Sequence, residues 1–212
     1  MRYYPVFLDI AGKPVVVIGG GQVSLRKVRG LLEAGAQVTV VSPELHPELR
    51  RLVDEGRLRC EQREYRPGDL EGFLLAFVGA DDPSANAAVA HEGRERGVWV
   101  NAVDDPPRCD FIMPSIVQRG DFIVAVSTGG GSPAMARKLR EEMAEFLTDD
   151  YVLLLELAAE VRRDLREKGV AADPEVWNAA LNGELRELLA RGERAEAKER
   201  LVQSLLQPVK EA

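Results

Sequence analysis

Apolar positions along the first half of the chain follow two periods, one typical of buried strands and one typical of helices. The runs 15–18 and 38–41 are continuous and β-branched, as in strands buried on both faces of a parallel sheet. Between them, residues 22–34 carry apolar side chains at helical spacing and end before Gly35, where a helix C-terminal glycine belongs. The pattern predicts a strand–helix–strand unit.

The same alternation continues, more weakly, to about residue 110. Strands that alternate with helices over this length predict an α/β fold built on a Rossmann doubly wound parallel sheet. The further predicted strands are 58–62, 73–78 and 98–101, and the further predicted helices are 46–55 and 82–96.

Beyond that point the pattern changes to two apolar strands followed by helices. A polar turn at 118–121 separates the predicted strands 111–117 and 122–127. We expect a small α+β segment and then a C-terminal helical domain. The predicted helices are 133–147, 151–168, 174–191 and 193–206. An apolar stripe that predicts core or dimer packing is formed by Leu153, Leu154, Leu157 and Val161.

Charge and hydropathy narrow the functional classes. The 212 residues carry a formal net charge of −7, which argues against a general nucleic-acid binder because such proteins show a basic excess. The chain has no apolar run of the ~18 residues that a membrane span needs. Asp9 interrupts the first apolar stretch too early for a signal peptide. We therefore expect a cytoplasmic protein.

The cysteines and histidines predict no metal site. Cys60 and Cys109 form no Cys-x-x-Cys pair, and His46 and His91 are equally isolated. Two free thiols are ordinary in a reducing cytosol, which agrees with the expected location.

The strongest chemical motif is the glycine-rich turn after the first strand. Gly19, Gly21 and Ser24 form a Gly-x-Gly-x-x-Ser pattern that opens the first helix. In dinucleotide-binding proteins these glycines allow a tight turn and a close approach to the pyrophosphate, while the helix N-terminus offers free amides. The turn predicts a dinucleotide site that also includes Gln22 and Val23. The alternative is a tight strand–helix turn without a ligand.

The end of the second strand bears on which dinucleotide is bound. An acidic residue here usually binds the adenosine ribose, but Ser42 takes its place and Glu44 is displaced beyond Pro43. No arginine adjoins Ser42 to receive a 2′-phosphate. We expect Ser42, Pro43 and Glu44 to line the cofactor site and NAD to be favoured over NADP.

Several further motifs follow the glycine turn in a specific order. The most specific are Asn-x-x-Asp at 101–104, Met-Pro-Ser-Ile at 113–116 and Ser-Thr-Gly-Gly-x-Ser-Pro at 127–133. With them, the chain resembles the precorrin-2 dehydrogenase family, which includes the N-terminal half of siroheme synthase. The resemblance covers about residues 1–147. The other matching positions are 4–8, 12–23, 26–27, 81–83, 86, 100–106, 111–112 and 140.

This resemblance implies a homodimer that oxidises precorrin-2 to sirohydrochlorin with NAD, a step toward siroheme. Some members of the family also insert ferrous iron. A chain of 212 residues is expected to lack the methyltransferase half of the fused bacterial enzyme. Ser24 and Ala80 depart from the alanine and threonine of the family pattern, which puts only local cofactor contacts in question.

The resemblance also assigns site residues near the end of the strand 98–101. It makes Asp104 the base that takes the proton when the cofactor takes the hydride, and it adds Asp81 to the cofactor site. Asn101 is a weaker candidate for orienting Asp104 or a substrate carboxylate. The alternative is that Asp104 only caps an Asp-Asp-Pro-Pro turn.

The second glycine turn, 127–133, is a candidate substrate site. Ser132 is a suitable helix N-cap, and glycines before a helix N-terminus favour anions such as the carboxylates of a precorrin. The alternative is an ordinary capped turn. The predicted substrate-binding residues are Asn101, Ser127, Thr128, Gly129, Gly130 and Ser132. Positive charge nearby in sequence comes from Arg119, Arg137, Lys138 and Arg140.

These observations predict three regions and leave three functions open. The regions are an NAD-binding Rossmann domain at 1–112, a β-hairpin-plus-helix dimerisation or substrate segment at 113–148, and a helical domain at 149–212. The functions are a precorrin-2 dehydrogenase, a bifunctional enzyme that also inserts iron, and a non-catalytic module that senses the NAD/NADH ratio.

Overall fold

Five parallel strands form the sheet of the N-terminal half. The computed structural model describes residues 2–79, 83–102 and 105–206, which divide into the units Met1–Met113 and Pro114–Ala212. The strand order is β3-β2-β1-β4-β5, so β1 lies in the middle and β5 at one edge. The strands are β1 (Pro14–Ile18), β2 (Gln37–Val41), β3 (Arg59–Glu61), β4 (Leu75–Val78) and β5 (Trp99–Ala102).

Helices cover both faces of this sheet because successive strand residues point to opposite sides. On one face, Val15 and Val17 of β1 pack in one cluster with Leu25 and Val28. On the other face, Val16 packs in a second cluster with residues of the third helix. This doubly wound arrangement confirms the predicted fold class. The helices are α1 (Gln22–Glu33), α2 (Pro47–Asp54) and α3 (Pro83–Arg96).

The second unit begins with an antiparallel hairpin. Strands β6 (Ser115–Arg119) and β7 (Phe122–Val126) pair in the register Ser115↔Val126, and helix α4 (Pro133–Phe146) follows. The predicted strand 111–117 was wrong over its first four residues. Residues 110 and 111 instead bond back to β5 in the first unit, and Pro114 has no backbone N–H to extend the ladder.

Four helices complete the second unit around a leucine-rich core. They are α5 (Asp149–Glu167), α6 (Pro174–Ala180), α7 (Gly183–Ala190) and α8 (Arg194–Leu206). The predicted single helix 174–191 is two helices, because the Asn182 side chain accepts a hydrogen bond from Leu185 N at 3.3 Å and so caps a new helix. Leu157 and Val161 are fully buried in this core, which confirms the packing role of their stripe.

The predicted boundary after residue 148 stays a prediction, because the structure divides the described chain only between residues 113 and 114. Within the described residues, none of the helices combines the length and the apolar character needed to cross a bilayer.

A buried carboxylate on α3 anchors the long connection between β3 and β4. Glu92 is 6% exposed and accepts hydrogen bonds from the Tyr65 hydroxyl at 2.6 Å and from Gly68 N and Leu70 N at 2.9 and 3.2 Å. Arg96 Nε lies 2.7 Å from the same carboxylate. Burial, followed by the bond to Glu92, raises the pKa of Tyr65 well above its usual value. Glu92 therefore ties three separate points of the connection to α3.

We expect Glu92→Ala to lower the free energy of unfolding by about 3 kcal/mol, because it leaves several donors without a buried acceptor. Urea unfolding followed by circular dichroism measures this loss. Glu95→Ala removes a carboxylate from the exposed side of the same helix and should change stability by less than about 0.5 kcal/mol. Equal effects of the two substitutions would contradict the anchoring role of Glu92.

Candidate functional site

The order in which strands are added to the sheet reverses between β1 and β4, which are parallel neighbours at its centre. In open parallel sheets, ligands bind in the crevice beyond the carboxyl ends of the strands at such a point. The glycine turn 19–21 lies directly after β1 and before α1. The first predicted motif therefore stands where this fold binds dinucleotides.

Gly20 is held against the end of β2. A Cβ atom at this position would lie 2.1 Å from the Glu44 carbonyl oxygen and 2.8 Å from Ser42 Oγ. The preceding Gly19 has φ 108 and donates its N–H to Val41 O at 2.9 Å. Sequence reasoning assigned roles to Gly19 and Gly21 and missed Gly20. The signal available for it was the run of three consecutive glycines.

Gly21, unlike Gly20, has open space where a side chain would stand. It is the N-cap residue of α1, and a Cβ placed on it would meet nothing within 4 Å. No side chain caps this helix end, and Gln22 is exposed. Open space beside the uncapped N-terminus of a 12-residue helix suits a diphosphate, which would accept hydrogen bonds from the first amides. Gly19, Gly21, Gln22 and Val23 therefore fit the predicted cofactor site.

Ser24 occupies the third position of the motif and faces the protein interior. It is 1% exposed, and its hydroxyl has no hydrogen-bond partner among the described residues. The position thus needs a small side chain for helix–sheet packing and makes no use of the hydroxyl.

Ser42, Pro43 and Glu44 form a short turn beside the glycines. The Ser42 hydroxyl donates to the Glu44 carbonyl at 2.7 Å, and Ser42 is buried. Pro43 and the Glu44 side chain are exposed. The structure thus brings this predicted segment next to Gly20, and it uses the Ser42 hydroxyl to hold the turn.

Arg63 follows β3, the strand next to β2. Its guanidinium donates to both carboxylate oxygens of Asp69, at 2.7 and 2.8 Å, and to the Glu64 carbonyl at 3.0 Å. The bond from Arg63 holds the pKa of Asp69 below its usual value. This cation is thus already bound to a carboxylate of its own loop.

The carboxyl end of β5 is held by the segment that follows it. Asn101 is 7% exposed, and its amide nitrogen donates to the Phe111 carbonyl at 2.9 Å. This bond secures the return of the chain along the sheet edge. Asp104 and Asp81, the predicted base and a predicted cofactor contact, lie outside the described residues.

Lys27 is a half-buried cation that sequence reasoning left without a role. Its Nζ lies 5.6 Å from the centre of the Phe77 ring near the end of β4, and Phe77 packs edge-on against Phe111 at 5.4 Å. Burial, with a contribution from Arg26, lowers the pKa of Lys27. Lys27 and Phe77 therefore place a cation–π contact near the carboxyl edge of the sheet.

The second glycine turn lies in the second unit and is organised by its own hydroxyls. Thr128 Oγ1 accepts from Ser132 N at 3.0 Å and donates to Ser132 O at 3.1 Å. Ser127 Oγ accepts from Gly129 N at 3.1 Å, and Ser132 Oγ caps α4 by accepting from Met135 N at 3.2 Å. The predicted N-cap is confirmed, and the substrate-binding roles of residues 127–130 and Ser132 stay predictions.

The basic residues near this turn differ in their surroundings. Arg119 donates to Asp149 at 2.8 Å and to the Ala144 carbonyl at 3.2 Å, which ties the hairpin to the helices. Arg140 pairs with Glu141 at 2.7 Å. Arg137 and Lys138 are exposed on α4. Arg119 and Arg140 are therefore already paired with carboxylates.

Residues 2–79, 83–102 and 105–206 contain no group of three or more histidine, cysteine or acidic side chains placed to hold a metal ion. Cys60 and Cys109 are free thiols. Burial raises the pKa of both thiols, which favours their protonated form.

Comparison with known families matches two consecutive regions of the chain. Residues 6–115 match the model of an NAD(P)-binding family, which covers more than half of the chain. Residues 119–145 match the family described as "Sirohaem biosynthesis protein central". The second match includes β7, the second glycine turn and most of α4.

Curated relatives extend the similarity to nearly the whole chain. Siroheme synthase of Nitrosococcus oceani is 39% identical over 93% of this chain and 42% of its own length. Siroheme synthase of Methylococcus capsulatus is 41% identical over 95% of this chain and 43% of its own length. The chain therefore spans less than half the length of the curated relatives that it matches.

A solved structure shares the fold of the whole chain. "SirC, precorrin-2 dehydrogenase" superposes with a TM-score of 0.77 over 95% of this chain and 100% of its own, at 23% identity. This superposition confirms the fold. The two family matches, in order, and the similarity to siroheme synthases confirm the resemblance carried by the motifs. The chain belongs to the NAD(P)-binding family whose model matches residues 6–115.

Proposed function

We propose that the chain catalyses the NAD-dependent oxidation of precorrin-2 to sirohydrochlorin. The observation that carries the proposal is the open space over Gly21, at an uncapped helix N-terminus, in a chain that matches an NAD(P)-binding family and a sirohaem biosynthesis family. The names of the relatives and of the superposed protein supply the substrate class. The chemistry is assigned to the crevice beyond β1 and β4.

The first unit binds the cofactor through its backbone. The amides at the start of α1 donate to the pyrophosphate, and the positive end of the helix dipole adds to this attraction. Gly20 keeps the turn against β2, so that Gly21 leaves room for the phosphates. Glu44 is exposed beside this turn, where its carboxylate reaches the adenosine ribose.

NAD suits these surroundings better than NADP. A 2′-phosphate needs a cation near the end of β2, and Arg63, just after the neighbouring strand, is already bound to both oxygens of Asp69. The exposed Glu44 carboxylate would also repel the phosphate. The preference for NAD over NADP therefore rests on the pairing of Arg63 with Asp69 and on the negative charge of Glu44.

The oxidation removes a hydride and a proton from the tetrapyrrole. NAD, when bound, accepts the hydride at its nicotinamide ring. Asp104 takes the proton as a general base, placed by its sequence position just beyond β5. The N-terminus of α4 and the turn 127–132 accept carboxylates at the rim of the substrate.

The second unit supports a homodimer. The face of the β6–β7 hairpin formed by Ile116, Gln118, Ile123 and Ala125 is exposed, although three of these four side chains are apolar. A second copy of the chain is the occupant we assign to this face. The free cysteines and the negative charge accord with a cytoplasmic protein that does not bind nucleic acid.

The direct test mixes the purified protein with precorrin-2 and NAD in the absence of iron. We expect sirohydrochlorin and NADH to form in equal amounts, as followed by their absorbance. NAD binding without product would favour the sensing module instead. Faster iron uptake than in an enzyme-free control, after ferrous iron is added as a second substrate, would support the bifunctional enzyme.

We expect Asp104→Ala to lower kcat at least about 100-fold while leaving NAD binding unchanged, because the variant loses its proton acceptor. Steady-state rates and calorimetric titration with NAD measure the two effects. Asp54→Ala, an exposed carboxylate on α2, serves as the control and should keep the parent rate. An Asp104→Ala variant as fast as the parent would refute the base assignment.

Substitutions at Gly20 and Gly21 should have different effects, one on the stability of the fold and the other on cofactor binding. We expect Gly21→Ala to keep the fold and to raise the Kd for NAD at least about tenfold, because the methyl group occupies the space of the phosphates. Gly20→Ala should instead lower the free energy of unfolding by about 3 kcal/mol, because its Cβ meets a backbone carbonyl. Calorimetry and urea unfolding distinguish the two. Unchanged NAD affinity in Gly21→Ala would be evidence against this cofactor site.

A further inference from the structure

The outer edge of β5 has no neighbouring strand in the described sheet, yet its backbone groups are bonded. The backbone N–H and C=O groups of Val100 and Ala102 point away from β4. Trp99 N donates to the carbonyl of Leu74, just before β4, and alternate residues face opposite edges. The chain returns along this edge after the 3-10 turn Pro106–Arg108. Residues 109–111 of this returning segment bond to the outward backbone groups of β5 mainly through side chains.

Asp110 and Cys109 make most of these bonds. Asp110 accepts from Val100 N through its carboxylate at 2.8 Å and donates its own N–H to Val100 O at 2.8 Å. The Cys109 sulfur accepts from Ala102 N at 3.2 Å. Two side chains thus take the place of a sixth strand and hold β5 at both of its outward residues.

The Cys109 thiol also bonds beyond the strand end. Its proton has two carbonyl acceptors, Ala102 O at 3.0 Å and Asp105 O at 3.4 Å. Asp105 is held further by an ion pair with Arg108 and by its own N–H to Ala102 O at 3.4 Å. One thiol therefore contacts the residues on both sides of positions 103 and 104.

We infer that Cys109 is a positioning residue for the carboxylate of Asp104, holding the two flanks of the loop that carries it. The inference rests on the proposed function, in which Asp104 is the base. Both flanking residues are described, and both bond to the same sulfur. The thiol acts as donor and acceptor at once, a pattern that a protonated thiol provides and a thiolate does not. Its raised pKa agrees with this state at neutral pH.

Cys60 offers a matched control for this role. It is also half-buried, but it lies in β3 at the opposite edge of the sheet, and its thiol makes no hydrogen bond to any residue within the described ranges. Cys60→Ala therefore makes the same chemical change far from β5 in the strand order. It should leave turnover unchanged.

The test compares Cys109→Ala, Cys109→Ser and Cys60→Ala in the full chain. We expect Cys109→Ala to lower kcat about 10- to 100-fold, to shift the pH profile of kcat, and to leave the Kd for NAD unchanged, because the base is displaced while the phosphate site stays intact. Cys109→Ser keeps a donor and an acceptor and should return kcat to within about threefold of the parent. An unchanged kcat and pH profile in Cys109→Ala would overturn the inference.

Hydrogen exchange distinguishes an error in the role of the Cys109 hydrogen bonds from an error in the proposed function. The Ala102 amide should exchange at least about tenfold faster in Cys109→Ala than in Cys60→Ala, whether or not precorrin-2 is a substrate. Should Cys109→Ala fail to fold, Cys109→Val replaces it, since valine keeps the bulk of the side chain but has neither a donor nor an acceptor. Equal Ala102 exchange in Cys109→Val and Cys60→Val would then overturn the role of the Cys109 bonds. If the parent protein leaves precorrin-2 unchanged, only the proposed reaction is overturned, and the exchange of Ala102 still tests the Cys109 bonds.

Discussion

The close approach of Gly20 to the turn after β2 is the constraint on which the cofactor site depends. Because the Glu44 carbonyl lies where a Cβ would stand, the turn after β1 can run against β2 only with glycine at this position. This packing fixes the start of α1 at the centre of the sheet, beside the crevice between β1 and β4. Gly21 is then left with open space on its outer side, where a phosphate fits without displacing protein atoms.

A second constraint acts at the edge of the sheet. An unpaired edge strand exposes a row of polar backbone groups, and proteins cover such edges in various ways. Here the cover is a short return segment whose thiol and carboxylate bond to β5. Because that segment follows directly after the loop with Asp104, the same bonds that protect the edge also fix the ends of the loop. Under the proposed function, the contacts that stabilise the edge are therefore also the ones that hold the residues flanking the proposed base.

The sequence predicted best those elements that are determined by residues close together in the chain. The elements β1, α1 and β2 follow directly from β-branched runs and a helical period, and Ser132 was recognisable as an N-cap from its neighbours. The division of the helix 174–191 was also signalled locally, by Asn182-Gly183, but its continuous apolar pattern favoured one helix. These features depend on residues within a few positions of one another.

Gly20 and Cys109 were beyond such reasoning for a physical reason. The atom that requires glycine at position 20 belongs to Glu44, and the value of the Cys109 thiol depends on β5 being the last strand of the sheet. Both facts arise only from the order of strands in space. The late start of the predicted strand 111–117 has the same origin, because Asp110 is bonded to Val100 of β5.

The central claim is that the amides at the start of α1 hold the pyrophosphate of NAD beside Gly21. A crystal structure of the protein with NAD bound tests it most directly. The account predicts pyrophosphate oxygens about 3 Å from the amide nitrogens of Gln22 or Val23, with the nicotinamide toward the carboxyl ends of β4 and β5. NAD bound at another surface, with the space over Gly21 filled only by solvent, would contradict it.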